Sequence, residues 1–278
     1  MRRSQLSAFR TRFAPSPTYF LHLGHALSAL HVWRVAEQAG GEVWLRIEDI
    51  DTTRCRPEYT DAIYEDLSWL GLSWPEPVRV QSDHFDDYRT CVKRLNQMGL
   101  AYRCFRTRAE LAALDDPLRP GPISLEQEAQ RLNDGVPFAW RLSLSRARDH
   151  LGAAYDSLAY RETSPSGLEV RRVDPDQHGD IVIARKDSPS AYHIAATHDD
   201  ALQGITHIVR GEDLIDAPHI HTLLQALMDW PQPIYQHHQL LLDEEGNKLS
   251  KRQKSISLAS LRADGMTADQ VRVRLGFA

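Results

Sequence analysis

The amino-acid sequence predicts an α/β protein built on a parallel sheet that the chain leaves once and rejoins. Two observations carry this. A strand, a proline-punctuated loop, a helix and a second strand follow one another within the first fifty residues, and this order implies a βαβ unit with its ligand at the strand C-termini. After an irregular stretch from about 103 to 178, strand patterns return in "DIVIARKD" and "GITHIVRG".

The elements follow in order. "AFRTRFAPSPT" reads as a short strand running into a loop. In "GHALSALHVWRVAEQAGG" the residues Ala26, Ala29, Leu30, Trp33 and Ala36 recur at helical steps, and Gly40-Gly41 ends the run. "EVWLRIED" alternates as a strand, with Val43, Leu45 and Ile47 on one face and Trp44, Arg46 and Glu48 on the other. "EYTDAIYEDLSWLGLSW" and "FDDYRTCVKRLNQMGLAY" are amphipathic helices, and "PFAWRLSL" and "GLEVRRV" are short strands among turns. "APHIHTLLQALMDW" is a further helix. The domains expected are a sheet domain over 1–80 and 179–245, an inserted α+β subdomain over 81–178, and a loop with a helical tail over 246–278.

Composition narrows the class. At 278 residues, 42% hydrophobic and 26% charged, the chain matches a soluble enzyme with a sizeable core. No apolar run approaches the ~18 residues of a membrane span, and the basic N-terminus lacks the apolar segment of a secretory signal, so a cytoplasmic location is expected. Cys55, Cys91 and Cys104 stand far apart, which fits neither a disulfide framework nor a thiolate zinc site. The net charge is −5, but it is uneven. Residues 42–66 hold eight acids and three arginines; residues 248–278 hold seven bases and two acids, a tail that could face phosphates.

Neither GxxxxGK[ST] nor GxGxxG occurs. At the first strand-to-helix junction stands "PSPTYFLHLGHA", where the helix N-terminus favours an anion. His22 and His25 could donate hydrogen bonds to a phosphoryl group, and Gly24 would let a flat ligand approach the backbone. Near the other end, "GNKLSKRQKS" reads as a polyphosphate-holding loop. Together, "HLGH" and "KLSKR" resemble the two signatures of class I aminoacyl-tRNA synthetases. "RFAPSPT", "LRIEDIDTTR" and "AYHIAATHDDALQGITHIVRGEDL" are similar to the glutamyl-tRNA synthetase branch, and the likeness runs from about Arg10 to Arg252.

That resemblance implies a Rossmann-like class I catalytic domain that uses ATP and Mg²⁺. Glutamate carries one ammonium and two carboxylates, so its pocket needs an acid and guanidinium forks. Arg12 and Arg210, each at a strand end, can pair carboxylates, and Glu48 can accept from the ammonium. The family's matching positions add Phe13, Ala14, Pro15, Ser16 and Tyr192 to the glutamate site. ATP falls to Pro15, His22, Gly24, His25 and Lys251, with Lys248 assisting Lys251 at the phosphates; His22, His25, Lys248 and Lys251 are the expected catalytic residues.

Family members of ordinary length continue into a helical domain that reads the anticodon. After "KLSKR" this sequence has residues enough for about two short helices, a plan that resembles the glutamyl-queuosine tRNA(Asp) synthetases. The resemblance implies transfer of glutamate to the queuosine base in the anticodon of tRNA(Asp), by a monomer that grips the anticodon stem-loop. Two alternatives stay open: a glutamate-activating domain that charges a tRNA 3′ end or another acceptor, and a non-catalytic RNA-binding paralogue. Two departures from the family pattern stand out. Tyr19 replaces a glycine before the first histidine, which predicts a loop that is reshaped or partly covered. Arg106 replaces a second thiolate after Cys104, so no zinc is expected.

Overall fold

The computed structural model describes residues 8–241 and 256–277. Strand β1 (Arg10–Phe13), helix α1 (Leu23–Gln38) and strand β2 (Glu42–Ile47) form the expected unit, with β1 and β2 parallel and Arg10 opposite Glu42. Helix α1 buries Ala26, Ala29, Leu30, Val32 and Ala36 against the sheet. Trp33, expected in that stripe, lies at its edge, where its indole N–H donates to the Ser73 carbonyl at 2.9 Å. Gly40 takes a left-handed φ of 62°, which ends the helix without a Cβ penalty.

Helix α2 (Pro57–Trp69) leads to strand β3 (Arg79–Val80), which extends the sheet in the order β1-β2-β3. Helix α3 (Phe85–Gln97), strand β4 (Ala101–Cys104), helices α4 (Arg108–Ala112) and α5 (Leu125–Asn133) and strand β5 (Ala139–Leu142) follow. Then come α6 (Leu144–Leu151), α7 (Ala153–Asp156), β6 (Ala159–Ser164), β7 (Gly167–Arg172), β8 (Ile181–Ala184), α8 (Tyr192–Leu202) and β9 (His207–Gly211). Helix α9 (Ala217–Met228) and strand β10 (Ile234–His238) close the body, and α10 (Leu258–Ala263) and α11 (Ala268–Arg274) form the tail.

The strand pairing crosses the domain boundary expected at residue 178. β6 and β7 fall within 81–178, yet they belong to a sheet ordered β7-β6-β10-β9; β8 falls within 179–245, yet it pairs with β5 in the antiparallel sheet β4-β5-β8. The reason is hydrogen bonding: β6 offers a parallel edge to β10, with Ile234 opposite Arg161. This sheet adjoins the first one where Thr206 N–H donates to the Arg10 carbonyl at 2.9 Å.

The tail docks on α1 and α2. Leu258 and Val271 are fully buried in the core beneath β1–β3, a gain of about 1.5–3 kcal/mol for each side chain. The Arg34 guanidinium lies 3.8 Å from the centre of the Phe277 ring, and Arg272 donates to the Leu70 carbonyl at 2.5 Å. Arg262 pairs with Glu65 at 2.8 Å. Two of the basic tail residues expected to face phosphates are therefore turned onto the body.

Arg262 also approaches Asp66, at 3.6 Å, and both Asp66 oxygens are buried without a hydrogen-bond donor among the described residues. Burial pushes this carboxyl up to about 6, with Arg262 opposing and Glu65 adding to the rise. A carboxyl raised in the folded state favours the protonated form, so this group adds stability as pH falls from about 6 towards its ordinary range. Asp66→Asn is expected to raise Tm at pH 8 and to lose that advantage near pH 4. A Tm difference that does not change between these pH values would contradict this account.

Candidate functional site

The C-terminal ends of β1, β2 and β9 border a cavity of about 690 Å³. Its lining includes Arg12, Phe13, Ala14, Pro15, Ser16, His22, Gly24, His25, Glu48, Tyr192 and Arg210. The structure thus brings together eleven positions singled out from the sequence. Lys248 and Lys251 lie outside the described residues. The chain borders the site on both sides of that segment: Leu240 and Leu241 line the cavity, and Ser257 bridges to His22 with Leu258 N–H donating to the Leu21 carbonyl at 2.8 Å.

The histidines are fixed by the start of α1. The His22 N–H donates to His25 Nδ1, and the Gly24 N–H donates to His22 Nδ1, both at 3.1 Å. This is a reciprocal capping box made of two imidazoles, with ring centres 3.9 Å apart. Because both Nδ1 atoms accept, each neutral ring carries its proton on Nε2. The arrangement supplies two N–H donors at a helix N-terminus, where anionic charge is favoured. Gly24 has a nearer role than the ligand approach expected of it: a Cβ there would meet His22 Cε1 at 3.0 Å and Nδ1 at 3.1 Å. The loop accommodates Tyr19 without a positive φ, and its exposed ring stacks on Tyr59 at 6.2 Å.

The charged wall of the cavity rests on residues that the sequence reading passed over. Arg46, on the strand face opposite Val43, Leu45 and Ile47, is fully buried. It donates to Asp200 Oδ1 at 2.9 Å, Gln203 Oε1 at 2.9 Å and Glu48 Oε1 at 3.0 Å. Arg12 Nε donates to the same Asp200 oxygen at 3.0 Å. Burial raises the Glu48 carboxyl, and Arg46 and Arg12 oppose the rise. Beside this network, burial would raise Asp199 too, but His198, Arg46 and Arg79 bring it down to about 2.

Arg210 is set from the other sheet. Its Nε donates to His237 Nε2 at 3.1 Å, and His237 Nδ1 meets Glu162 Oε1 at 2.5 Å. Burial and the nearby guanidinium help hold His237 below the ordinary imidazole range, so it stays neutral and passes the orientation from Glu162 to Arg210. Both terminal nitrogens of Arg210 are buried and have no hydrogen-bond partner among the described residues. A planar fork with two such N–H groups fits a carboxylate. Glu162, Asp200 and His237 were missed because their partners lie 27 to 188 residues away along the chain.

For a metal, the donors do not converge: among the described residues no group of three His, Cys, Asp or Glu side chains forms a site. Cys104 is buried in β4, and Arg106 donates to the Gly121 carbonyl at 2.9 Å. Among the described residues no helix is long and apolar enough to cross a membrane.

Residues 8–273 match the family model for the catalytic domain of class I tRNA synthetases (E and Q). The chain is 38% identical over 276 residues to a protein of Rhodobacter capsulatus named glutamyl-Q tRNA(Asp) synthetase, covering 96% of this chain and 99% of that one. It is 35% identical over 271 residues to the glutamate–tRNA ligase of Aquifex aeolicus, of which it spans 55%. The crystal structure of a glutamate tRNA ligase from Elizabethkingia meningosepticum with its amino acid superposes with a TM-score of 0.72 at 29% identity. That match covers 94% of this chain and 54% of the other.

The geometry makes a stability prediction. Arg46→Ala leaves Asp200 and Glu48 buried without their main counter-charge, at an expected cost of about 3–5 kcal/mol. Urea unfolding of the wild type and the variant checks it, and a loss below about 1 kcal/mol would show that the network is not the support described.

Proposed function

The chain belongs to the class I tRNA synthetases (E and Q) and is a ligase of that fold, and from this premise we propose that it activates L-glutamate with ATP and transfers it to the queuosine base in the anticodon of tRNA(Asp). The observation that carries the glutamate reading is the buried, unpartnered fork of Arg210 on the same cavity as Arg12 and Glu48. One substrate carboxylate pairs with Arg210, and the ammonium faces Glu48. The other carboxylate attacks the α-phosphorus: an oxygen–phosphorus bond forms, the bond from Pα to the bridging oxygen breaks, and pyrophosphate leaves.

The Nε2–H groups of His22 and His25 meet negative charge as it builds on the phosphoryl oxygens. Lys248 and Lys251 are assigned to the departing pyrophosphate from their place in "KLSKR". Class I synthetases use ATP and Mg²⁺, and on this reading the ion would come with the nucleotide phosphates. In the second step a hydroxyl oxygen of the acceptor attacks the glutamyl carbonyl, the bond from that carbon to the phosphate oxygen breaks, AMP leaves, and the hydroxyl proton passes to solvent. The queuosine reading is supported by the likeness to the Rhodobacter protein over 99% of its length. A monomer acting in the cytoplasm accords with this reading.

The pocket assignment predicts how specificity fails. With glutamine, the Arg210 fork would be left beside a neutral amide, so the wild type should prefer glutamate by about 10²-fold or more. Arg210→Ala should lower kcat/KM for glutamate and narrow that ratio. Pyrophosphate exchange with each amino acid measures both; wild-type activation of glutamine equal to that of glutamate would overturn the assignment.

The acceptor is tested with labelled glutamate and three samples of tRNA(Asp): intact, without queuosine, and without the 3′ terminal adenosine. The first and third should be labelled and the second should stay blank. Labelling that survives loss of queuosine and vanishes with the terminal adenosine would restore the second reading, an enzyme that charges the tRNA 3′ end.

A further inference from the structure

Beyond the cavity, a groove of about 810 Å³ runs between α3, the β4–β5 edge and the 185–189 loop. Five cations line it (Arg89, Lys93, Arg103, Arg185 and Lys186) against one acid, Asp187. Two half-buried aromatic rings line it too. The Arg103 guanidinium lies 5.3 Å from the centre of Phe138 and 4.7 Å from that of Trp140, and the two rings meet edge to face at 5.7 Å.

Several of these cations have acidic partners. Arg89 pairs with Asp86 at 2.5 Å, Arg185 with Asp187 at 2.9 Å and Asp51 at 3.6 Å, and Arg103 with Glu128. The exposed pairs of Arg89 with Asp86 and of Arg185 with Asp187 are weak, so a phosphate can take over such a cation. Lys93 is exposed and has no ion pair among the described residues, and Lys186 donates to the Phe105 carbonyl at 2.8 Å and makes no ion pair within 4 Å among the described residues. The groove is therefore positive on balance and offers ring faces within it.

Its 185–189 wall lies close along the chain to the residues of the cavity. The Ser188 hydroxyl donates to the Ile50 carbonyl at 3.1 Å, two residues past Glu48, and Tyr192 follows Ser188 by four residues. Those four residues span at most about 14 Å. A positive groove with aromatic faces is the chemistry that holds single-stranded nucleic acid, with the cations on phosphates and the rings under bases.

We propose that this groove binds the single-stranded loop nucleotides that flank the acceptor base, and so presents that base to the cavity. The proposal rests on the reading that the acceptor is a base in a tRNA loop. It moves the RNA contact from the basic tail, where Arg262 and Arg272 are engaged with the body, to the inserted sheet. A stacked, unpaired loop is favoured over a duplex because ring faces serve unstacked bases.

The test uses the full chain and fluorescence anisotropy with an anticodon-arm stem-loop RNA across a salt series. Lys93→Glu/Lys186→Gln should weaken binding by about tenfold and reduce the salt slope by about 1.4, for two single-strand phosphates at about 0.7 each. Lys93→Ala alone, at an exposed helical position, should give a smaller loss of the same sign. Glutamyl-adenylate formation without RNA should be equal in wild type and variants. Unchanged affinity and slope in both variants would overturn the proposal. So would a fully paired duplex of equal charge that binds as tightly and is weakened as much, or polyglutamate that displaces the stem-loop at equal charge. Failure of the wild type to form the adenylate would sink the glutamate reading instead, and the RNA affinities would still decide the groove.

Discussion

Arg46 carries its charge where no water reaches it, and the site is arranged around that fact. An unpaired buried charge is among the costliest features a fold can contain, so the carboxylates around it are obligatory. Asp200 comes from α8, while Glu48 follows Arg46 on the end of β2. The Asp200 oxygen that meets Arg46 also meets Arg12 on β1. One cation thereby fixes the spacing of two strands and a helix, and it does so at the strand ends where the cavity opens. The geometry of this wall follows from neutralising Arg46.

The same network leaves Arg210 as the guanidinium whose terminal fork meets no carboxylate among the described residues. Arg12 and Arg46 meet Asp200, and Arg46 also meets Glu48 and lies 4.0 Å from Asp199, which Arg79 holds as well; Glu162 is held by Arg171. Arg210 reaches this wall because β6 joins the sheet of β9 and β10 and brings Glu162 behind His237. The strand crossing that defeats a simple division into domain and insertion is therefore what aims the fork.

The first βαβ unit was legible in the sequence because its apolar residues alternate with period two in β2 and recur at three and four in α1, and Gly40 marks the helix end. The cavity residues at the strand ends were legible for a related reason: in a parallel sheet their place follows from the strands themselves. Helix α8 has no such stripe, since Thr197, Asp199 and Asp200 share its buried surface with Ile194 and Ala195. Glu162 sits beside turn-rich residues and looks like a surface acid until β10 pairs with β6. The burial of Arg46 was hidden by alternation, which places it opposite the core face of a strand that is in fact covered on both sides. Each miss concerns a polar residue whose partner is remote in the chain, and local pattern carries no information about such pairs.

Under the proposed function, the two histidines show what the fold would contribute to the chemistry. Each uses Nδ1 to accept a backbone N–H at the start of α1, so neither ring can offer that atom to a substrate. A ring whose acceptor nitrogen is committed is unsuited to pull a proton from a nucleophile. It is well suited to hold an N–H in a fixed direction. Attack by a carboxylate on phosphorus needs no proton removed, because the nucleophile is already an anion at neutral pH. What the reaction needs is charge stabilisation on the phosphoryl oxygens, supplied by donors that do not have to reorient as the charge appears. Gly24 belongs to the same arrangement, since a Cβ there would press on the His22 ring at 3.0–3.1 Å and push it by a few tenths of an ångström. On the proposed reading, helix capping and transition-state stabilisation are one set of hydrogen bonds, and the stability of the first turn of α1 is part of the catalytic geometry.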